Sequence, residues 1–208
     1  TYTHPDFGSG NIELVFGKDN TLYIANDDYI FKRAPGETTL TRFCTLPPST
    51  GIGDIEIDAN GILYLSDPYV SNNIHRIYPD GTYDIFADGA AGLHNPYGIA
   101  FDRAGNLYAC NAHGSNHAVI KLAPDGTGQE FIPHGRLPST AHDLAFDKQG
   151  YLLAACRNAH ALLRIDPAGN IENFIQDGTG RIQDPAGIAL IPSPEPVPAM
   201  SRAGLIFT

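Results

Sequence analysis

A strand–turn–strand unit that occurs in three clear copies constrains the fold more than any other feature of this chain. Its clearest copy is Asn95–Asn111, in which the turn Asp102-Arg-Ala-Gly105 joins two short runs of apolar, β-prone residues. The Asp side chain can accept hydrogen bonds from its own turn, and Gly can adopt the positive φ that closes a hairpin. The other two copies are Asp54–Asp67 and Asp143–Cys156.

The spacing of these turns indicates a longer repeat. The turn glycines are 44 and 45 residues apart: Gly61, Gly105 and Gly150. A second turn recurs once in each period: Pro79-Asp-Gly81, Pro124-Asp-Gly126 and Pro167-Ala-Gly169. A degenerate earlier copy, Glu13–Asn26, has Asn20 in place of the glycine, and Asn tolerates positive φ better than most residues. Two turns per period of about 44 residues indicate four short strands, which is typical of β-propeller blades.

We therefore predict an all-β chain, a β-propeller of four-stranded antiparallel blades with four full repeats and the start of a fifth. Apolar residues alternate or cluster in short runs and do not repeat every 3.6 residues, so no helix is expected. Three regions are predicted: an irregular or outer-strand lead-in at 1–11, the propeller at 12–191, and a Pro-rich linker with a tail at 192–208.

Charge and cysteine content narrow the classes of partner. The net charge of −10 argues against nucleic acid or an anionic membrane as a partner, since both attract basic surfaces. No apolar run approaches the ~20 residues that a transmembrane helix needs. The three cysteines, Cys44, Cys110 and Cys156, are predicted to be small buried apolar residues and not to form a disulfide.

The end of the chain has two interpretations. The segment Val197–Ile206 resembles the bacterial IPTL-type C-terminal sorting signal, with Ala203 in place of the usual Trp. This resemblance implies an exported protein (periplasmic, cell-surface or secreted), and an opening at Thr1 without Met is compatible with a processed export signal. Alternatively, Ser201–Phe207 is a displaced second strand of the fifth repeat, similar to Asp102–Tyr108.

The repeat at 98–108 reads Gly-Ile-Ala-Phe-Asp-x-x-Gly-Asn-Leu-Tyr and precedes a strand with Lys-Leu or Arg-Ile. It resembles NHL-type propeller repeats and the gluconolactonase-like superfamily, and the likeness extends from about Ile12 to Leu190. The resemblance implies a ring of five or more blades, so four repeats correspond to an incomplete ring or to a fragment. It also implies that functional sites lie where the innermost strands begin, around the central channel.

The residue pairs at those inner-strand starts are Gly53-Asp54, Tyr97-Gly98, His142-Asp143 and Ala186-Gly187. From them we take Asp54, Tyr97, His142 and Asp143 as the candidate channel-mouth site. Gluconolactonase-like enzymes hold a divalent cation with oxygen ligands from such pairs and from an early Glu, here Glu13. The resemblance therefore implies Asp54, His142 and Asp143 as ligands of calcium, zinc or magnesium, although Tyr97 and Ala186 depart from the pattern. Two carboxylates near His142 also predict a raised imidazole pKa.

Polar side chains in and beside the loops between the second and third strands of each repeat form a second candidate surface, the loop face. Many propellers contact ligands through these loops, although Asn and Asp are also common loop formers. The loop-face candidates are Asp67, Asn72, Asn111, His113, Asn158 and His160. The imidazoles among them suit a metal or an acidic or polar ligand.

Three functional hypotheses follow. The first is an exported, non-catalytic binding module that presents its loop face to a small molecule, a glycan, or a peptide or protein. The second is a metal-dependent hydrolase or lyase of the gluconolactonase-like superfamily, with its site at the central channel mouth. The third is a truncated piece without independent activity. Catalysis with a metal needs three or four ligands converging at inner-strand starts, and only two of the four pairs offer any, so binding is favoured.

Overall fold

The structure is a computed structural model that describes residue 8 and residues 10–113, 116–176 and 182–190. Within these residues there are sixteen strands. They are β1 Ile12–Phe16, β2 Leu22–Asn26, β3 Tyr29–Arg33, β4 Thr41–Thr45, β5 Asp54–Ile57, β6 Leu63–Asp67, β7 Asn73–Ile77, β8 Tyr83–Ala87, β9 Pro96–Phe101, β10 Leu107–His113, β11 Asn116–Leu122, β12 Gly128–Ile132, β13 Ala141–Phe146, β14 Leu152–Cys156, β15 Ala161–Ile165 and β16 Ile171–Gln176.

The strands form four four-stranded antiparallel sheets, each made of four strands that are consecutive in the chain. We number these sheets as blades one to four; β1, β5, β9 and β13 are their inner strands. Helical structure in the described part is limited to two three-residue 3-10 segments, Gly89–Ala91 and Arg157–Ala159. The prediction of an all-β fold with four-stranded antiparallel repeats is confirmed.

The first turn of each repeat has the predicted chemistry. Gly61, Gly105 and Gly150 have φ values of 82°, 83° and 87°, and Asn20, which replaces the glycine in blade one, has a φ of 61°. The carboxylate of Asp102 accepts hydrogen bonds from the backbone N–H groups of residues 104 and 106, both at 2.9 Å. The turn is therefore closed by one carboxylate and one positive φ.

The second turn has an additional requirement that its residues alone did not indicate. Gly81 and Gly126 have φ values of 84° and 85°, and each lies against the preceding blade. A Cβ atom at Gly126 would lie 2.3 Å from the carbonyl oxygen of Phe86, and one at Gly81 would lie 2.7 Å from that of Phe43. Glycine is needed here both for backbone conformation and for the close approach of two blades.

Three apolar clusters fill the interfaces between successive blades. Ile30 and Cys44 of blade one pack with Ile55 and Leu65 of blade two, and the two later interfaces are built in the same way. The three cysteines are free and buried, so the prediction of unpaired core residues is confirmed. The Cys110 sulfur also accepts a hydrogen bond from the backbone N–H of Ala141, at 3.3 Å, across the interface of blades three and four.

The two ends of the chain are largely outside the described residues. The residues that the structure does not describe include 1–7 and 9 of the predicted lead-in and all of 191–208. The linker, the sorting signal and the displaced strand therefore stay predictions. Residues 182–190, where a fifth repeat was predicted to start, are described and contain no strand. In the described part of the chain there is no helix long and apolar enough to cross a membrane.

Candidate functional site

Equivalent positions near the start of the inner strands carry a carboxylate in three of the four blades. These positions are Glu13, Asp54, Gly98 and Asp143. Asp54 accepts a hydrogen bond from the backbone N–H of Ile99, in the next blade, at 2.8 Å. Asp143 accepts one from Ile188, in the following repeat, at 2.6 Å. Both links span 45 residues, so these carboxylates fasten one repeat to the next.

Gly98 is the exception for a steric reason. A Cβ atom at this position would lie 2.7 Å from the Cα atom of Asp143, because the inner strands of blades three and four approach closely there. The absence of a carboxylate at 98 is thus imposed by packing.

Together with Glu56, these carboxylates make the inner strands acidic near their starts, and burial favours their protonated forms. Burial and then the charge of Asp143 raise the pKa of Glu13 to about 7. Burial also raises the pKa of Glu56 to about 7, and that of Asp54 well above its usual range, with Asp143 contributing in both cases. Burial raises the pKa of Asp143 as well. Glu13 and Glu56 therefore exchange protons near neutral pH.

The pKa predicted for His142 is wrong. Burial, and then the positive charge of Arg157, lower the pKa of this imidazole, which is consequently neutral at pH 7. The reason is the direction of the side chains. Asp143 is directed towards Ile188 of the following repeat, whereas the His142 ring contacts Tyr97 of the preceding blade, with ring centres 5.0 Å apart. His142 and Asp143 are adjacent in sequence but contact different repeats, the preceding one and the following one.

The predicted metal ligands are not brought together as a set. Among the described residues there is no group of three or more His, Cys, Asp or Glu side chains that could hold a metal ion. Asp54 uses both carboxylate oxygens as acceptors, one for Ile99 and the other for the backbone N–H of Ile55 at 2.7 Å. Asp54, His142 and Asp143 therefore do not fit a three-ligand cation site in this conformation.

At the channel mouth, three rings form a continuous aromatic row across blades two, three and four: Tyr69, Tyr97 and His142. The Tyr97 hydroxyl donates a hydrogen bond to that of Tyr69 at 2.6 Å, and the two rings meet edge to face with centres 5.5 Å apart. Burial raises the pKa of Tyr97, so its phenol is neutral. Tyr69 is 56% exposed. Tyr69 was not among the candidates taken from the sequence. Its place just after Asp67-Pro68, in the β6–β7 loop, could have identified it as a loop-face residue.

Two of the predicted loop-face residues are buried and organise loops instead of facing solvent. Asp67 is 1% exposed and accepts hydrogen bonds from Gly51, Tyr69, Val70 and Ser71. Burial opposes its ionisation, but neighbouring His75, Ser71 and backbone N–H groups prevail and lower the pKa of Asp67 to about 2. Asn111, also buried, accepts from the His94 N–H and donates to the Gly92 carbonyl.

The remaining loop-face candidates are more accessible. Asn72 has a φ of 57° and accepts a hydrogen bond from the backbone N–H of Asn95, which ties the blade-two loop to blade three. Asn158 and His160 are exposed, and His160 Nδ1 lies 3.3 Å from the Asp184 carboxylate. The side chain of His113 lies outside what the structure describes.

No family model matches this sequence, and no curated protein matches it. Solved structures do resemble it. A catalytically inactive variant of virginiamycin B lyase from Staphylococcus aureus, with quinupristin, has a TM-score of 0.68 and 16% identity, covering 85% of this chain and 59% of its own. The chain has a β-propeller fold.

Two further propellers of this kind illustrate the range of neighbours. A chain of the nidogen/laminin complex has a TM-score of 0.66 and 23% identity, covering 79% of this chain and 65% of its own. Regucalcin from Agrobacterium tumefaciens, a calcium-binding protein, has a TM-score of 0.59 and 19% identity, covering 76% and 57%. The chain thus spans less than two thirds of these neighbours, and identities this low show the fold alone.

Proposed function

We propose that this propeller is a binding module that recognises its ligand on the loop face, at the channel mouth. The observation that supports this most is the aromatic row of Tyr69, Tyr97 and His142, a partly exposed set of neutral rings contributed by three blades. Aromatic rings supply large contact areas with little loss of side-chain freedom, which is why binding surfaces are rich in them. The proposed ligand is a small molecule, a glycan, or a peptide or protein. The sorting-signal resemblance supports an exported module.

The loops that carry the row are held in place before any ligand arrives. Asp67 accepts hydrogen bonds from three consecutive backbone N–H groups around Tyr69, and the Asn95 side chain donates to the Pro68 carbonyl. Such a fixed surface loses little conformational entropy on binding, which favours recognition.

The test is a binding screen of glycan and peptide arrays with matched variants. Tyr69→Ala removes an exposed ring of the row, whereas Gln149→Ala removes an exposed side chain from the β13–β14 turn, at the other end of the strands. We expect Tyr69→Ala to weaken binding of any array hit by about tenfold or more, and Gln149→Ala to leave it unchanged. Hits retained equally by both variants would show that the row is not the binding surface.

One observation favours a second candidate, a hydrolase or lyase with its site in the channel. Glu13 and Glu56 have pKa values of about 7, which suits general acid–base catalysis at neutral pH. The neighbours that include virginiamycin B lyase and gluconolactonase-like propellers suggest lyase and lactone-hydrolysis assays. Since the described residues do not fit a metal site, the proposed role of both Glu residues is proton transfer.

The corresponding experiment measures turnover of lactone substrates, with and without added calcium, zinc or magnesium. If the channel is catalytic, Glu56→Gln abolishes turnover while circular dichroism shows an unchanged fold. Activity that survives both Glu56→Gln and Glu13→Gln would exclude these two carboxylates as the groups that transfer the proton.

A further inference from the structure

A cavity of about 280 Å³ lies beside the aromatic row, between the loops of blades one and two. It is lined by Asn11, Asp27, Thr50, Gly51, Ile52 and Tyr69. None of the sequence-based site candidates lies among these residues. The cavity shares Tyr69 with the aromatic row, so it opens on the same face of the propeller.

Four hydrogen-bond donors of the cavity wall are already used inside the protein. The Asn11 amide nitrogen donates to the Ile52 carbonyl at 3.1 Å, and the Thr50 hydroxyl donates to the Pro47 carbonyl at 2.7 Å. The backbone N–H of Thr50 donates to Asp28, and that of Gly51 donates to Asp67. These four groups are therefore not free to donate to a ligand, and the charged acceptor of the wall is the Asp27 carboxylate, which also lies against Gly8 and Gly10.

The charge of the wall points in the same direction. None of these described lining residues is a Lys or an Arg, so the Asp27 carboxylate has no cationic neighbour within the cavity wall. The whole chain carries a net charge of −10, which raises the local concentration of cations. A ligand that donates hydrogen bonds and carries positive charge complements such a wall.

Tyr69 adds an aromatic face held in a fixed position. Its ring packs over Gly51, where a Cβ atom would lie 2.5 Å from the ring carbon Cδ2. Its hydroxyl is fixed by Tyr97 at 2.6 Å. An exposed tyrosine face attracts an ammonium or guanidinium group.

We propose that the cavity bounded by Asp27 and Tyr69 binds an organic cation, an alkylammonium or guanidinium group. The source is either a free small amine or guanidine, or a lysine or arginine side chain of a peptide. The inference rests on the proposed function only in placing a ligand on the loop face. The cavity volume, just below the about 300 Å³ at which drug-sized sites begin, suits a group of side-chain size.

The primary test compares butylguanidinium with the neutral, similarly shaped butylurea by titration calorimetry or by chemical-shift changes. We expect butylguanidinium to bind and butylurea to bind at least about tenfold more weakly. Asp27→Asn should abolish this preference. The variant should fold, because Asp27 has a φ of 49° and Asn tolerates this left-handed conformation. Tyr69→Leu should weaken butylguanidinium binding several-fold.

A matched control removes the same charge elsewhere. Glu172→Gln in β16 neutralises a carboxylate that is 62% exposed and belongs to blade four, so it should leave butylguanidinium binding unchanged. If Glu172→Gln weakens binding as much as Asp27→Asn, the attraction is a property of net charge and the proposed cavity is wrong. Equal binding of both probes, or no binding at about 10 mM, would overturn the proposal too.

A second arm distinguishes the two sources. A short peptide with one arginine is compared with the same peptide carrying citrulline, and both with butylguanidinium. Tighter binding of the arginine peptide than of butylguanidinium identifies a peptide as the source, and equal affinity identifies a small cation. If none of these probes distinguishes Asp27→Asn from wild type while Tyr69→Ala still loses an array ligand, the cation proposal fails and the binding-module proposal stands.

Discussion

Glu56 is a carboxylate at a position where the equivalent residues of the other blades are Val15, Ala100 and Ala145. Its side chain belongs to an inner strand and is partly buried, and burial raises its pKa from 4.5 to about 7. A carboxylate with a raised folded-state pKa binds its proton more tightly in the folded protein than in the unfolded chain. Between pH 4.5 and 7 this difference lowers stability as the pH rises.

Glu56→Gln should therefore stabilise the protein at high pH. We expect the variant to exceed wild type in the free energy of unfolding by roughly 2 kcal/mol at pH 8, with little difference near pH 4. Urea denaturation at a series of pH values measures this. A stability difference that stays constant from pH 4 to pH 8 for Glu56→Gln would contradict the assigned cause.

The pKa of Asp67 is shifted in the opposite direction to that of Glu56, so its effect on stability has the opposite pH dependence. Its folded-state pKa is about 2, below the usual 3.8, so its contribution to stability is present above pH 4 and is lost as the pH falls through 2. Asp67→Asn should cost about 2 kcal/mol at pH 7, because an amide nitrogen would face several N–H donors, and the cost should shrink in acid. Thermal unfolding at pH 7 and pH 2.5 tests both statements; a pH-independent loss would mean that the charge is immaterial.

At the scale of the turns, the two glycine types separate local conformation from packing between blades. Gly105 and Gly126 have nearly the same φ, 83° and 85°, but a Cβ at Gly105 would meet no atom within 4 Å. One at Gly126 would lie 2.3 Å from the Phe86 carbonyl oxygen. The pair is a matched comparison within a single protein.

Gly105→Ala should cost about 1 kcal/mol, the strain of a positive φ. Gly126→Ala should cost distinctly more, about 3 kcal/mol or more, because blades two and three must also separate there. Chemical denaturation of both variants gives the difference. Similar losses for the two would imply that the second turn relaxes without disturbing the preceding blade.

At the scale of the whole molecule, one sheet face has no neighbouring sheet in the described structure. Leu14 of β1 is 58% exposed, whereas its equivalents Ile55, Ile99 and Leu144 are at most 3% exposed, packed against the preceding blade. Ile12 and Phe16 are also about half exposed on this strand. The face has the composition of an interface between blades.

This chain should therefore self-associate as its concentration rises, and Leu14→Glu should reduce the association. Exposed apolar patches of this kind favour contact between molecules. Sedimentation velocity over a concentration series provides the measurement. Val70→Glu, at a residue that is also 58% exposed but lies in a loop, should have no effect. A wild-type chain that stays monomeric throughout would exclude the face as a contact surface.

The fold was predictable from the sequence because the turns of each repeat are encoded by residues within the turn itself. Asp102 accepts hydrogen bonds from its own turn, and Asn20 or a glycine supplies the positive φ. The site was less predictable because it depends on groups about 45 residues apart. That Asp54 meets Ile99, or that His142 meets Tyr97 and not the carboxylates, is set by how neighbouring blades are rotated and spaced. Spacing along the chain carries no direct record of that rotation.

The links from Asp54 to Ile99 and from Asp143 to Ile188 have a direction, since each carboxylate accepts a hydrogen bond from the repeat that follows. During synthesis, blades two and four each leave the ribosome with a carboxylate whose partner has not yet emerged. The repeat that follows each of them supplies this partner, so part of the stability is gained from the amino-terminal end onwards, as in proteins dominated by nearest-neighbour coupling. A chain cut before Ile188 would accordingly remove the partner of Asp143 and weaken blade four more than blade two.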